Sequence, residues 1–112
     1  MSDKMNPVDV ANHMQKIIAR LAEVNQESEV LIEAKAKATQ DYKTSRAVFA
    51  TRAKGEGMAV TLIKHHAEGE ASKEEYEMIV ATESLKAHWI YMENLKAQLN
   101  AYQSINRHLA VV

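Results

Sequence analysis

Six cations crowd into residues 35–54: Lys35, Lys37, Lys43, Arg46, Arg52 and Lys54, against Asp41 alone. Such a run can track a phosphate backbone, with Tyr42 and Phe49 placed to stack on bases. Lys43, Arg46, Arg52 and Lys54, with Lys64 just beyond, are therefore the candidate nucleic-acid contacts. A competing use for the same charges lies downstream. Residues 68–83 carry Glu68, Glu70, Glu74, Glu75, Glu77 and Glu83 against Lys73. In an antiparallel hairpin turning at 55–72, the basic and acidic blocks lie side by side. Tyr42 and Phe49 also fall on the apolar register of their helix, which suggests packing rather than stacking on bases. Neither zinc-finger spacing nor a glycine-rich clamp accompanies the basic run.

The five histidines offer little ligand chemistry. His65 and His66 are adjacent, so on a helix they point about 100° apart. His88 shares an apolar line with Met92, but HExxH or comparable metal spacing is missing. His88, together with Asn106, reads better as a polar residue that sets helix register. The chain has no cysteine, which excludes disulfides and thiolate sites. Gly55-Glu56-Gly57 is too short for a phosphate cradle, and there is no GxSxG elbow. The reading is a non-enzymatic chain without cofactor or metal.

These residues must be positioned by helices. Of 112 residues, one is proline and three are glycine, and aromatics make up 5%. Few breakers and many alanines predict an all-α chain in which helices approach closely. Asn6-Pro7 opens the first helix as cap and first residue, with Asp9 in the first turn. Its apolar line runs Val10, Met14, Ile17, Leu21, Val24, Ser28, Leu31, then thins to Ala34, Ala38, Tyr42, Ser45 and Phe49. This predicts a helix over about 7–53, with Asn25 to Ser28 its weakest stretch.

Met58 to Ile63 could pass for a strand, but a lone strand leaves its backbone groups unpaired. It reads instead as a short connecting helix over about 58–68, stopped by Gly69. Ser72 and Glu75 form a capping box for a helix over about 73–109. That helix carries Met78, Ala81, Leu85, His88, Met92, Leu95, Leu99, Tyr102, Asn106 and Leu109 in unbroken three-four alternation, widened by Ile79, Trp89, Ile90 and Ile105. The six methionines, Met1, Met5, Met14, Met58, Met78 and Met92, suit adaptable helix packing.

The expected architecture is one helical domain over residues 1–112, a long, coiled-coil-like antiparallel hairpin with a short connecting helix. A lone hairpin leaves the widened face uncovered, so a dimeric four-helix bundle follows. The alternative is a break near Asn25 and a monomeric three-helix bundle. Self-association is assigned to Leu85, His88, Met92, Leu95, Leu99, Tyr102 and Leu109. Net charge is −1, so no overall field draws the chain to nucleic acid or membrane. The amphipathic faces mix both signs, which argues against a membrane partner. With a polar start and no apolar span, the expected location is the cytoplasm, unprocessed.

Several segments resemble small helical accessory proteins of tailed bacteriophages, often encoded beside recombination or single-strand-binding genes. The resembling residues are the alanine-lysine run from Ala34 through Tyr42-Lys43, the Ala67-Glu68-Gly69 turn after Ile63-Lys64, and the ending Leu99 to Arg107 with Gln103-Ser104. They span about two-thirds of the chain, and residues 1–30 have no counterpart. The resemblance implies a phage or prophage origin, hence a bacterial host's cytoplasm, and an accessory role in DNA metabolism. It carries over no site residue. The expected function is binding of another protein through helix surfaces. The alternative is a nucleic-acid-binding accessory factor in recombination or replication that uses residues 35–54.

Overall fold

The computed structural model describes residues 6–111, which leaves Met1 and Met5 outside. The described chain is all-helical: α1 is Pro7–Gly55, α2 is Val60–Glu70 and α3 is Ser72–Val111. None of these helices is long and apolar enough to cross a membrane.

Asn6 starts α1 by satisfying backbone donors that have no partner within the helix. Its side-chain Oδ1 accepts from the Asp9 N–H at 2.9 Å, and its carbonyl accepts from the Val10 N–H at 3.1 Å. No proline or glycine interrupts the helix before Gly55. Its end is a Schellman motif. The Met58 N–H reaches the Ala53 carbonyl at 3.0 Å, and the Gly57 N–H reaches the Lys54 carbonyl at 3.1 Å. Gly57 makes this closure possible with φ +83°, a backbone region that side chains with a Cβ disfavour.

Two expectations about the next junction are corrected. Gly69 does not stop α2, which continues through it to Glu70. Glycine inside a helix costs about 1 kcal/mol relative to alanine, a cost small enough for α2 to pass through Gly69 and end one residue later at Glu70. Ser72 is not a cap either, because it is already the first residue of α3. Only Ala71 separates the two helices. Its N–H donates to the Ala67 carbonyl, and its carbonyl accepts from the Glu75 N–H, both at 3.0 Å. The backbone is thus hydrogen-bonded across the joint much as it is within a helix. At its other end, α2 begins at Val60 rather than Met58.

The chain forms two compact units, residues 6–29 with 87–111, and residues 30–86. In the first unit, Ile17, Val24, Met92 and Leu95 form the buried cluster, with Leu21, Leu99 and Tyr102 packed against it. Contacts between α1 and α3 follow an order here. His13 stacks on Tyr102 with centroids 5.1 Å apart and planes at 4°, Arg20 meets Tyr91, and Ser28 meets His88. The partners on α3 descend in number as those on α1 climb.

In the second unit the buried residues are Ala53, Ala67, Ala71 and Leu85. Three alanines in four make a thin core, since each removes little apolar area from water. The apolar line of α1 also differs here from expectation: Ala34 is exposed, and Lys35 is the half-buried residue. Position 35, not 34, continues the three-four alternation from Leu31, and lysine can bury its stem while its ammonium stays wet. The line then drifts to Ala50 and Ala53, as a 3.6-residue helix must against a 3.5-residue repeat.

Candidate functional site

Two places bring chemistry-bearing side chains together. The first is a polar layer inside the first unit. The Ser28 Oγ lies 2.7 Å from the His88 Nε2 and 3.8 Å from the Met92 Sδ. Ser28 is 8% exposed, and His88 and Met92 are each 7% exposed. The Trp89 ring meets the His88 ring edge-on at 5.1 Å. A serine–histidine pair at this distance has the spacing of a nucleophile and its base. Here, however, the pair lies inside the α1–α3 packing, with its neighbouring backbone donors held in helix. The arrangement satisfies a buried hydroxyl and a buried imidazole, which would otherwise be costly to bury.

This layer places several of the predicted residues. Leu85, His88, Met92 and Leu95 are buried, while Leu99, Tyr102 and Leu109 are half-buried. Met92, Leu95, Leu99 and Tyr102 belong to the cluster with Ile17, Leu21 and Val24, and His88 pairs with Ser28. Five of the seven seam residues, His88, Met92, Leu95, Leu99 and Tyr102, thus pack with or hydrogen-bond to α1 of the same chain. Asn106 is exposed and does not join His88 in a buried polar layer. The widening residues stay open: Ile79, Trp89, Ile90 and Ile105 are all exposed.

The second place is a basic groove in the second unit. A concavity of about 560 Å³ lies between Lys43, Arg46, Ala47 and Ala50 of α1 and Val60, Ile63, Lys64 and Ala67 of α2. A second, shallow and widely open space of about 700 Å³ shares Lys43 and Ala47 and runs along one face of α1 alone, past Gln40, Thr44, Val48, Thr51 and Arg52. The floor is apolar. The charged lining residues are Lys43, Arg46, Arg52 and Lys64, and no carboxylate is among them.

The acidic block does not neutralise this groove by contact. Among the described residues, ion pairs join Arg20–Glu23, Lys37–Asp41, Glu83–Lys86 and Glu93–Lys96, each three or four residues apart on one helix. The segment joining α1 to α2 is short, with α1 ending at Gly55 and α2 starting at Val60. The groove therefore sets α1 residues 43–50 beside α2 residues 60–67, ahead of the main run of glutamates. Among the described residues, no ion pair joins the basic block to the acidic block.

Two of the candidate nucleic-acid contacts are engaged with aromatic rings. Arg46 lies over the Tyr42 ring at 5.1 Å and Arg52 over the Phe49 ring at 5.4 Å. Tyr42 and Phe49 are themselves half-buried, so those arginines compete with any base for the exposed ring faces. Lys43, Lys54 and Lys64 are exposed. His65 and His66 are exposed on α2, and no cluster of three or more His, Asp or Glu occurs among the described residues.

Sequence reading missed Arg20. Its Nε donates to the Tyr91 hydroxyl at 3.1 Å, its Nη1 donates to Glu23 at 3.0 Å, and its guanidinium lies over the Tyr91 ring at 5.4 Å. The hydrogen bond to Tyr91, then that to Glu23, raises the guanidinium above its ordinary pKa. Only the pairing of α1 with α3 could have revealed this contact. No family model, curated protein or solved structure matches this chain.

Proposed function

We propose that this chain is a non-enzymatic helical interaction protein that binds protein, including a second copy of itself, through its outer helix faces. In this reading α1 folds back antiparallel on α2 and α3 as a coiled-coil-like hairpin, and the descending order of α3 partners supports that pairing. The observation that carries the functional reading is an imbalance of apolar residues. Among the described residues, fourteen large hydrophobic side chains are exposed, while nine hydrophobic residues are buried, three of them alanines. Exposed singles are ordinary, but clusters on a small chain mark interfaces. Tyr76, Ile79 and Val80 share one helix face, and Trp89, Ile90 and Tyr91 are consecutive. The phage resemblance extends the proposal to a partner in recombination, replication or host defence.

The test is the double variant Ile79→Asp/Ile90→Asp. Both side chains are exposed, so the variant keeps its helical circular dichroism and loses molar mass by light scattering. An unchanged assembly contradicts the reading.

A second reading, nucleic-acid binding, draws on the groove that has cations but no carboxylate in its lining. It predicts oligonucleotide binding at low salt that falls steeply as salt rises and is lost in Lys43→Glu/Lys64→Glu. No binding at low salt ends it.

A further inference from the structure

The second unit holds two surfaces of opposite character. The groove joins an apolar floor of Ala47, Val48, Ala50 and Ile63 to a rim of Lys43, Arg46, Arg52 and Lys64. On α3, Tyr76, Ile79 and Val80 are 68%, 48% and 46% exposed. They lie at spacings of three and four, so they form one ridge. Glu75 and Glu77 stand one residue either side of Tyr76, about 100° round to each flank of that ridge. Among the described residues, neither glutamate forms an ion pair, and neither do the four cations of the groove. Each surface is therefore apolar at its centre and carries unpaired charge at its edge, and the two edges have opposite signs.

We propose that these are the two halves of one self-association surface: the Tyr76–Ile79–Val80 ridge of a second copy seats in the basic groove of the first. A two-fold axis repeats the contact, so each copy gives one ridge and one groove and the assembly closes. The apolar floor favours this occupant over a nucleic acid. A phosphate backbone would engage the rim and leave Ala47, Val48 and Ile63 in water, whereas the ridge covers them and meets the rim with carboxylates. Residues 68–83 have six glutamates and one lysine, so the ridge lies in the most acidic part of the chain. This inference rests on the self-association reading above, and it names the surface and its dependence on salt.

The experiment is a charge swap read by sedimentation equilibrium on the full chain. Lys43→Glu/Lys64→Glu reverses the two lysines of the rim and cancels its net charge, and Glu75→Lys/Glu77→Lys reverses the flanks of the ridge. Lys43, Lys64 and Glu77 are exposed and Glu75 is half-buried, and circular dichroism checks that each variant keeps its helices. Each variant alone should self-associate at least about ten-fold more weakly than the parent, because attraction between rim and ridge is lost and the substituted positions face like charge. Mixing the two restores opposite signs at both contacts and should return the affinity to near the parent's, and raising salt should weaken the parent and the mixture alike. If either variant alone assembles as tightly as the parent, or the mixture fails to recover, this surface is wrong while self-association stands. A parent that is monomeric throughout overturns both. Oligonucleotide binding that blocks no self-association leaves the ridge in place, whereas oligonucleotide binding by a monomeric parent assigns the groove to nucleic acid instead.

Discussion

Ser28 and His88 are two polar residues on lines that are otherwise apolar, and the hydrogen bond between them makes their burial tolerable. Removing one partner should be worse than removing both. Ser28→Ala leaves the His88 imidazole without its buried partner and is expected to cost about 1–3 kcal/mol. Ser28→Val with His88→Leu replaces the pair by apolar groups and should recover most of that loss. Urea unfolding of the two singles and the double gives the coupling; an additive double would mean that the pair does not act as a unit. Leu95 tests the adjoining apolar packing. It is buried within the cluster, so Leu95→Ala should destabilise by about 2–5 kcal/mol, visible as a lower urea midpoint. Each polar residue was legible in the sequence as an interruption, since each falls on an apolar line. Their partnership was not. It depends on how α1 and α3 pack against each other, which brings residues 60 positions apart into contact.

At the scale of elements, the three glycines looked alike in sequence and behave differently in the fold. Gly57 holds a positive φ at the end of α1, whereas Gly69 sits inside α2, and a Cβ on either would meet nothing within 4 Å. Space is therefore not the issue, and backbone conformation decides the sign. Gly57→Ala should destabilise by about 1–2 kcal/mol through left-handed strain. Gly69→Ala should stabilise by about 0.4–1 kcal/mol, by lowering the entropy of the unfolded chain and raising helix propensity. Thermal melts of the two variants should move in opposite directions, and a shift in the same direction would contradict these assignments. The long helices were readable because their three-four spacing is repeated many times, so one misplaced residue, such as Ala34 for Lys35, does not hide the period. The joint around Ala71 was harder to read. Gly69, Ser72 and Glu75 together imitate a stop and a cap, and only backbone hydrogen bonds show that the helical run nearly continues.

At the scale of the whole molecule, the sequence contains more large apolar residues than its own packing covers. Widening of the α3 face by Ile79, Trp89, Ile90 and Ile105 was visible from periodicity, and the fold leaves all four exposed. The basic groove was only half visible: its cations were evident, but its apolar floor depends on how α1 and α2 meet. On the long apolar line of α3, a sustained period shows that a face is covered without showing by what; His88, Met92, Leu95, Leu99 and Tyr102 meet α1 of the same chain. The exposed residues therefore carry the proposal that the protein works by association. Its most direct test is the molar mass of the unmodified chain in dilute low-salt solution, by light scattering behind size exclusion. The account predicts at least twice the 12.6 kDa of one chain, falling toward that value on dilution. A single species at 12.6 kDa at every concentration would contradict it.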